Sequence, residues 1–299
     1  MRYSLHGKTV LITGGGHGLG QVMALSAADR GATVVIWDTD ADSAAATAEK
    51  ITSRGGAASS MEVDVGDRAA VKHAALACGE VDVLINNAAV ISGRPLLEVS
   101  DEEIEDTFNV NTLALYWVTR AFLNGMISLG HGTVVTIAST AGLVGIPGQT
   151  DYGASKFAAI GFAEALRVEL SKGGTGVNSL TVCPSYIDTR MFNGVQVRFP
   201  RLLPTLKAEK VAEKVLRGIE RGQAQLVMPP LARTIPVARA LHVRHFDRLM
   251  GFFGTSIAMD TFQGRGPTAR PAPQDQARPG SPAPEELPQP SRRGPASAA

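Results

Sequence analysis

Cysteine is almost missing from the chain, with only Cys78 and Cys183 in 299 residues. So few thiols exclude a disulfide framework, and both read as free, small core residues rather than as a bridge or a metal site. No metal is expected. Neither charge sign dominates, since 29 Lys and Arg face 28 Asp and Glu for a net +1. That balance argues against a nucleic-acid partner, because such binders carry a basic excess. No stretch reaches the roughly 18 consecutive apolar residues of a membrane-spanning helix. Residues 1–10 are polar, with Arg2 and Lys8, and hold no signal-peptide core. A soluble chain in the reducing cytoplasm is the expectation.

Residues 264–299 lack aromatics, keep Leu287 as their only large aliphatic, and hold nine of the 17 prolines. Such a segment cannot bury enough apolar surface to offset its ordering entropy, so a disordered proline-rich tail is expected there. A ligand for a partner's aromatic groove is the alternative for it. The folded body then spans 1–263. Across the chain, 44% of residues are hydrophobic against 19% charged, which is enough for a sizeable core.

Within the body, short apolar runs alternate with helical patterns. Lys8–Thr13, Thr33–Trp37, Ala57–Val63, Val81–Asn86, Thr133–Ala138, Val177–Cys183 and Gln225–Met228 read as strands. Between them, Leu19–Arg30, Ala41–Arg54, Asp67–Ala77, Asp101–Met126, Tyr152–Ser171 and Ala208–Arg221 read as helices. Several strands are apolar on both faces, as buried parallel strands require. The pattern implies an α/β fold, a doubly wound, mostly parallel seven-stranded sheet with helices on both faces and ligands at the carboxyl ends of the strands.

The first strand runs into Thr13-Gly14-Gly15-Gly16-His17-Gly18-Leu19-Gly20, which opens a helix. Glycines there let the backbone turn sharply and bring its N–H groups and the helix dipole to a pyrophosphate. The second strand ends in Asp38, a carboxylate suited to the adenosine ribose hydroxyls and repulsive to a 2′-phosphate, which favours NAD over NADP. Capping of the helix from Ala41 is the alternative role for Asp38. His17 reads as a loop residue. Further on, Tyr152 and Lys156 stand four apart in a helical pattern and share a face, so a lysine charge can lower a phenol whose ordinary pKa is about 10. Ser139 precedes Tyr152 by 13 residues and ends a strand, and Asn111 precedes it by 41.

The spacing Gly-x-x-x-Gly-x-Gly and the order Asn111, Ser139, Tyr152, Lys156 resemble the short-chain dehydrogenase/reductase family, over nearly all of residues 5–228. The resemblance implies a single Rossmann domain. It assigns Tyr152 as the acid/base that exchanges a proton with the substrate oxygen and Ser139 as the group that aligns it. Lys156 would lower the Tyr152 pKa and hold the nicotinamide ribose, and Asn111 would support a water leading from Lys156 to solvent. The same family likeness places Gly14, His17, Gly18, Leu19 and Gly20 at the cofactor, with Asp64 and Val65 near the adenine. Asn87 falls in Asn86-Asn87-Ala88-Ala89, where the family ends in glycine. Ile187 and Thr189 fall in Pro184-Ser185-Tyr186-Ile187-Asp188-Thr189, where the family has glycine in place of Ser185; that loop would cover the nicotinamide.

Residues 188–206 read as a lid. Its apolar side chains, among them Met191, Phe192, Phe199 and Leu202, suggest a lipophilic substrate, or else a lid packing its own apolar face on the body. Trp37-Asp38, Met191-Phe192-x-Gly, Met228-Pro229-Pro230 and Met259-Asp260-Thr261-Phe262-x-Gly-Arg resemble the retinol and hydroxysteroid dehydrogenase subgroup. That resemblance implies interconversion of a lipophilic alcohol, such as a retinoid, steroid or aliphatic alcohol, and its carbonyl; with the NAD preference read from Asp38, oxidation is the expected cellular direction, because NAD pools are usually oxidised. An NADPH-dependent carbonyl reductase and a non-catalytic NAD-binding scaffold are the alternatives. Residues 229–262 read as a C-terminal cap. Within it, apolar residues interleave with Arg239, Arg244 and Arg248, suiting a lipid surface, the substrate pocket or an oligomer contact. Peripheral membrane contact is not the favoured option. Family analogy implies a homodimer or homotetramer.

Overall fold

Seven parallel strands stand in the order β3-β2-β1-β4-β5-β6-β7. They are β1 Thr9–Thr13, β2 Thr33–Asp38, β3 Ala57–Glu62, β4 Val83–Asn86, β5 Gly132–Ile137, β6 Val177–Pro184 and β7 Gln225–Met228. The sheet is thus parallel throughout rather than mostly so. The computed structural model describes residues 3–264; beyond Gly264, the tail expected over 264–299 lies outside the described residues.

The helices are α1 Gly18–Ala28, α2 Ala41–Thr52, α3 Arg68–Cys78, α4 Asp101–Phe108, α5 Ala114–Leu129, α6 Thr150–Lys172, α7 Ala208–Glu220, α8 Ile235–Ala238 and α9 Val243–Phe252. Strand side chains alternate between two cores, as a period of two dictates. Val10 and Ile12 of β1, Val34 and Ile36 of β2, and Val83 and Ile85 of β4 join Met23 and Ala24 of α1 and Val211 and Val215 of α7. On the other face, Leu11, Val35, Trp37 and Leu84 pack with Val71 of α3 and Val118 and Phe122 of α5. That two-sided burial explains why these strands read as unbroken apolar runs. Each such side chain contributes roughly 1.5–3 kcal/mol. Ile12→Ala would remove one from the strand that carries the glycine turn.

The sheet order reverses between β1 and β4, and a crevice opens outside the carboxyl ends of strands at such a switch point. The glycine turn after β1 and Asn86–Ala89 after β4 both stand there. The helix expected over Asp101–Met126 departs from the simple pattern. It extends to Leu129 and is broken by a π-helical turn, Asn109–Leu113, which joins α4 to α5. Side-chain bonds at Asn109 and Asn111 explain the widened turn: Asn109 donates to the Gly66 carbonyl, and Asn111 is held by Val90 and Ser155. The chain past β6 is zipped to residue 206, where Asp188 N–H donates to the Leu206 carbonyl and Leu206 N–H to the Tyr186 carbonyl, both at 2.8 Å.

Candidate active site

The glycine turn is shaped by space as well as by conformation. Gly14 has φ of +64°, and a Cβ there would lie 2.9 Å from Ala88 Cα; one on Gly20 would collide with the Gly14 carbonyl. Gly18, with φ of +52°, opens toward the Thr189 side chain. The Asn87 amide donates to the Thr13 and Gly14 carbonyls, both at 3.0 Å. Thr13 Oγ1 accepts from the Asn87 and Ala88 N–H groups. Asn87 therefore clamps the turn from the neighbouring strand. Ala89 and Ser185 fit their loops without strain, because no described non-glycine residue has positive φ.

Asp38 ends β2 and accepts from Gly16 N–H at 2.8 Å and Asp40 N–H at 3.1 Å. It does not cap α2; Asp40 does, accepting from Ser43 N–H at 3.0 Å. His17 sits at the N-cap of α1 without capping it, and its Nε2 meets Ser43 Oγ at 2.9 Å. Leu19 and Val65 point into the cores, which leaves their backbone for any ligand. Asp64 Oδ1 accepts from Gly66 N–H at 2.9 Å. A side-chain-free cradle, a helix N-terminus with no acidic residue in its first turn and a carboxylate at the next strand end fit a dinucleotide. Gly14 to Gly20 would hold its pyrophosphate, and Asp38 its adenosine ribose.

The acid/base end forms where β5 and β6 finish beside α6. Ser139 follows β5 and opens a 3₁₀ turn, Thr140–Gly142, with its Oγ accepting from Ala141 N–H at 3.1 Å. Tyr152 and Lys156 are both buried on α6. Lys156 Nζ donates to the Ile137 carbonyl at 3.0 Å and stands 5.6 Å from the Tyr152 ring centroid. Burial pushes the Tyr152 phenol up to about 12, opposed by its hydrogen bond with Ser139. Burial likewise brings Lys156 down to about 8, partly countered by Cys183. Against the sequence-based expectation of a lowered phenol, desolvation is the largest influence on Tyr152 and acts upward, while the Lys156 ammonium is engaged by the Ile137 carbonyl.

Asn111 lies in the π turn, and its side chain is fully used. It donates to the Val90 carbonyl at 2.9 Å and to Ser155 Oγ at 3.0 Å, and accepts from Val90 N–H. Ser155 Oγ donates onward to the Tyr152 carbonyl at 2.7 Å. Ser155 was missed in the sequence, although its place one helical turn after Tyr152 was visible. Asn111 and Ser155 thus fix α6 against the chain after β4.

Next to Tyr152, Phe192 stands edge-on to the Tyr152 and Tyr186 rings, with centroids at 6.4 Å and 5.6 Å. The C-terminal residues fold over this end and are tied to residues 193–196, within the segment expected to form a lid. Gln196 N–H donates to the Ala258 carbonyl, Gln263 N–H to the Asn193 carbonyl, and Thr261 Oγ1 to the Gly194 carbonyl. Met259 packs on Gly148, and Phe262 lies against Gly93. Beneath this strap Tyr152 is 3% exposed. Of the loop residues, Thr189 stays beside the glycine turn at Gly18, and Ile187 is buried in the core that also holds Leu19. Of Arg239, Arg244 and Arg248, Arg239 is not free to meet lipid: it donates to the Leu143 carbonyl at 2.8 Å and stacks on Phe157 and Phe246.

A family model for short chain dehydrogenase matches residues 8–197. The chain is 40% identical over 234 residues to epidermal retinol dehydrogenase 2 of Mus musculus, covering 76% of each chain. It is 36% identical over 267 residues to estradiol 17-beta-dehydrogenase 11 of Rattus norvegicus, covering 83% of this chain and 88% of that one. Its fold is similar to a crystal structure of a short chain dehydrogenase/reductase from Burkholderia phymatum in complex with NAD, with a TM-score of 0.72 and 27% identity over 83% of this chain and 96% of that chain. The buried Ser139, Tyr152 and Lys156 beside a glycine cradle on a parallel sheet, together with these likenesses, make the chain a member of the short-chain dehydrogenase/reductase family, within its retinol and hydroxysteroid dehydrogenase subgroup, and an oxidoreductase acting on CH–OH donors.

Proposed function

We propose that this chain is an NAD-dependent dehydrogenase that interconverts a lipophilic alcohol, whether retinoid, steroid or aliphatic, and its aldehyde or ketone. The observation that carries the reading is the convergence of Ser139, Tyr152 and Lys156 under an apolar strap, at the same sheet end as the glycine cradle and Asp38. NAD would be held by Gly14 to Gly20 and Asp38 and would supply the hydride acceptor. The chain's residues handle the proton and the geometry. Tyr152 Oη takes the proton from the alcohol oxygen, and Ser139 Oγ aligns that oxygen beside it. Lys156 favours the phenolate over the phenol and reaches toward the ribose.

Asp38 supports NAD over NADP, since a 2′-phosphate would meet a carboxylate already anchored by two backbone N–H groups. Phe192, Met259 and Phe262 support a lipophilic substrate. Exposed Tyr116 and Leu129 on α5 and Val168 on α6 support a homodimer or homotetramer formed through those helices. The test is an NAD-coupled activity screen across retinoids, steroids and aliphatic alcohols with wild type and Tyr152→Phe. Loss of a positioned acid/base lowers the rate on the order of 10²–10⁴-fold, with NAD binding retained. A Tyr152→Phe variant as active as wild type would overturn the mechanism. Wild type inactive on every alcohol would favour the scaffold alternative.

A further inference from the structure

Charge is unevenly placed on this nearly neutral chain. Residues 189–207 and 229–263 together hold eight Lys and Arg against two Asp, whereas residues 3–188 and 208–228 hold 15 Lys and Arg against 23 Asp and Glu. Folding joins the two basic segments. The Phe199 ring meets Phe252 of α9 and the following Phe253 at 5.4 Å and 6.2 Å, and the Arg198 guanidinium lies over both Phe199 and Phe252. Gln196 N–H donates to the Ala258 carbonyl in the same region. The basic excess therefore gathers beside the strap that covers Tyr152.

α9 shows how that face is built. Phe246, Leu249 and Met250 turn toward the body, while Arg244, Arg248 and Phe252 are exposed and, standing four residues apart, form one row along the outer side. Among the described residues, no hydrogen bond or ion pair engages Arg244, Arg248 or Arg201. On the same two segments Phe252 is 56% exposed, Val243 69%, Val237 77% and Leu202 54%. An acidic protein would account for the arginines but not for these bare apolar side chains. A bilayer with anionic headgroups takes both, because guanidinium groups meet phosphates while aromatic and aliphatic side chains enter the boundary below them. We propose that this face, centred on the Arg244-Arg248-Phe252 row with Arg198 and Arg201, docks the protein on an anionic lipid surface. Arg239, turned inward onto Leu143, takes no part. Docked this way, the strap over Tyr152 lies close to the lipid.

The test sediments the full chain with vesicles of phosphatidylcholine alone or mixed equally with phosphatidylglycerol and reads the partition coefficient. No turnover is measured, so the outcome is independent of the dehydrogenase reading. Wild type should bind the mixed vesicles roughly tenfold or more tightly than the neutral ones, and more weakly as salt rises. The double variant Arg244→Gln, Arg248→Gln should lose roughly twentyfold, about fivefold for each basic side chain, and Phe252→Ala roughly tenfold through lost apolar burial. The same loss of charge by Lys50→Gln, Arg54→Gln, at exposed positions outside this face, should leave binding near that of wild type. No binding to mixed vesicles at low salt overturns the proposal and leaves the face to an acidic protein. Binding unchanged in the Arg244, Arg248 variant, or weakened equally by the Lys50, Arg54 pair, overturns it as well. Should Phe252→Ala fail to fold, the arginine pair carries the test, because both side chains are exposed.

Discussion

Lys156→Met should make the protein without cofactor more stable while removing its activity. Lys156 is buried at the centre of the site, and its ammonium is lowered from an ordinary 10.5 to about 8. The unfolded chain binds that proton more tightly than the folded one, which corresponds to roughly 3 kcal/mol of lost stability at pH 7. Methionine fills similar space without the charge. Removing the bond from Nζ to the Ile137 carbonyl returns about 1 kcal/mol of that gain. A net stabilisation of about 2 kcal/mol remains, or roughly 4–8 °C in Tm for a domain of this size. The sign follows from a folded pKa below the unfolded one. The penalty is complete below pH 8 and fades as pH rises from about 8 to 10.5. Denaturant unfolding at pH 7 and 9.5 therefore should show the variant's advantage shrinking at the higher pH. A variant less stable than wild type at pH 7, or an advantage that grows with pH, would refute the argument.

Asp38→Ser should shift cofactor preference toward NADP. A unit charge pair at about 4 Å near a protein surface is worth roughly 4 kcal/mol before screening, so the ratio of NADP to NAD dissociation constants should fall at least about a hundredfold in a fluorescence titration; an unmoved ratio would remove the carboxylate from the selection. The pH dependence of the two directions should be opposite. Alcohol oxidation needs the Tyr152 phenolate and should accelerate as pH rises toward the raised phenol pKa, whereas carbonyl reduction needs the phenol and should slow over the same range. Initial rates from pH 6 to 10 check this, and parallel profiles would exclude a single shared acid/base.

Much of the architecture is legible because its signals are local. Two-sided burial writes β1, β2 and β4 as nearly continuous apolar runs, and a strand–glycine–helix junction marks its own position. Tyr152 and Lys156 can be paired from spacing alone, since helical geometry puts residues four apart on one face. The π turn at Asn109–Leu113 is different. It is held by Val90, Ser155 and Gly66, which neighbour it only in the folded chain. Nor did any local pattern join Gln149 to Met259, 110 residues apart in the chain, or turn Arg239 inward onto Leu143 and Phe157.

By itself, then, the sequence determined the strand and helix order, the glycine turn with Asp38 at the next strand end, and the placing of Tyr152 and Lys156 on one helix face, because each depends on a short period or spacing. The tertiary structure alone decided how those groups behave. Burial raises the Tyr152 phenol and lowers the Lys156 ammonium, and desolvation depends on everything packed around them. It also decided what lies over Tyr152, where Phe192, Tyr186 and the residues around Met259 come together from segments far apart in the chain.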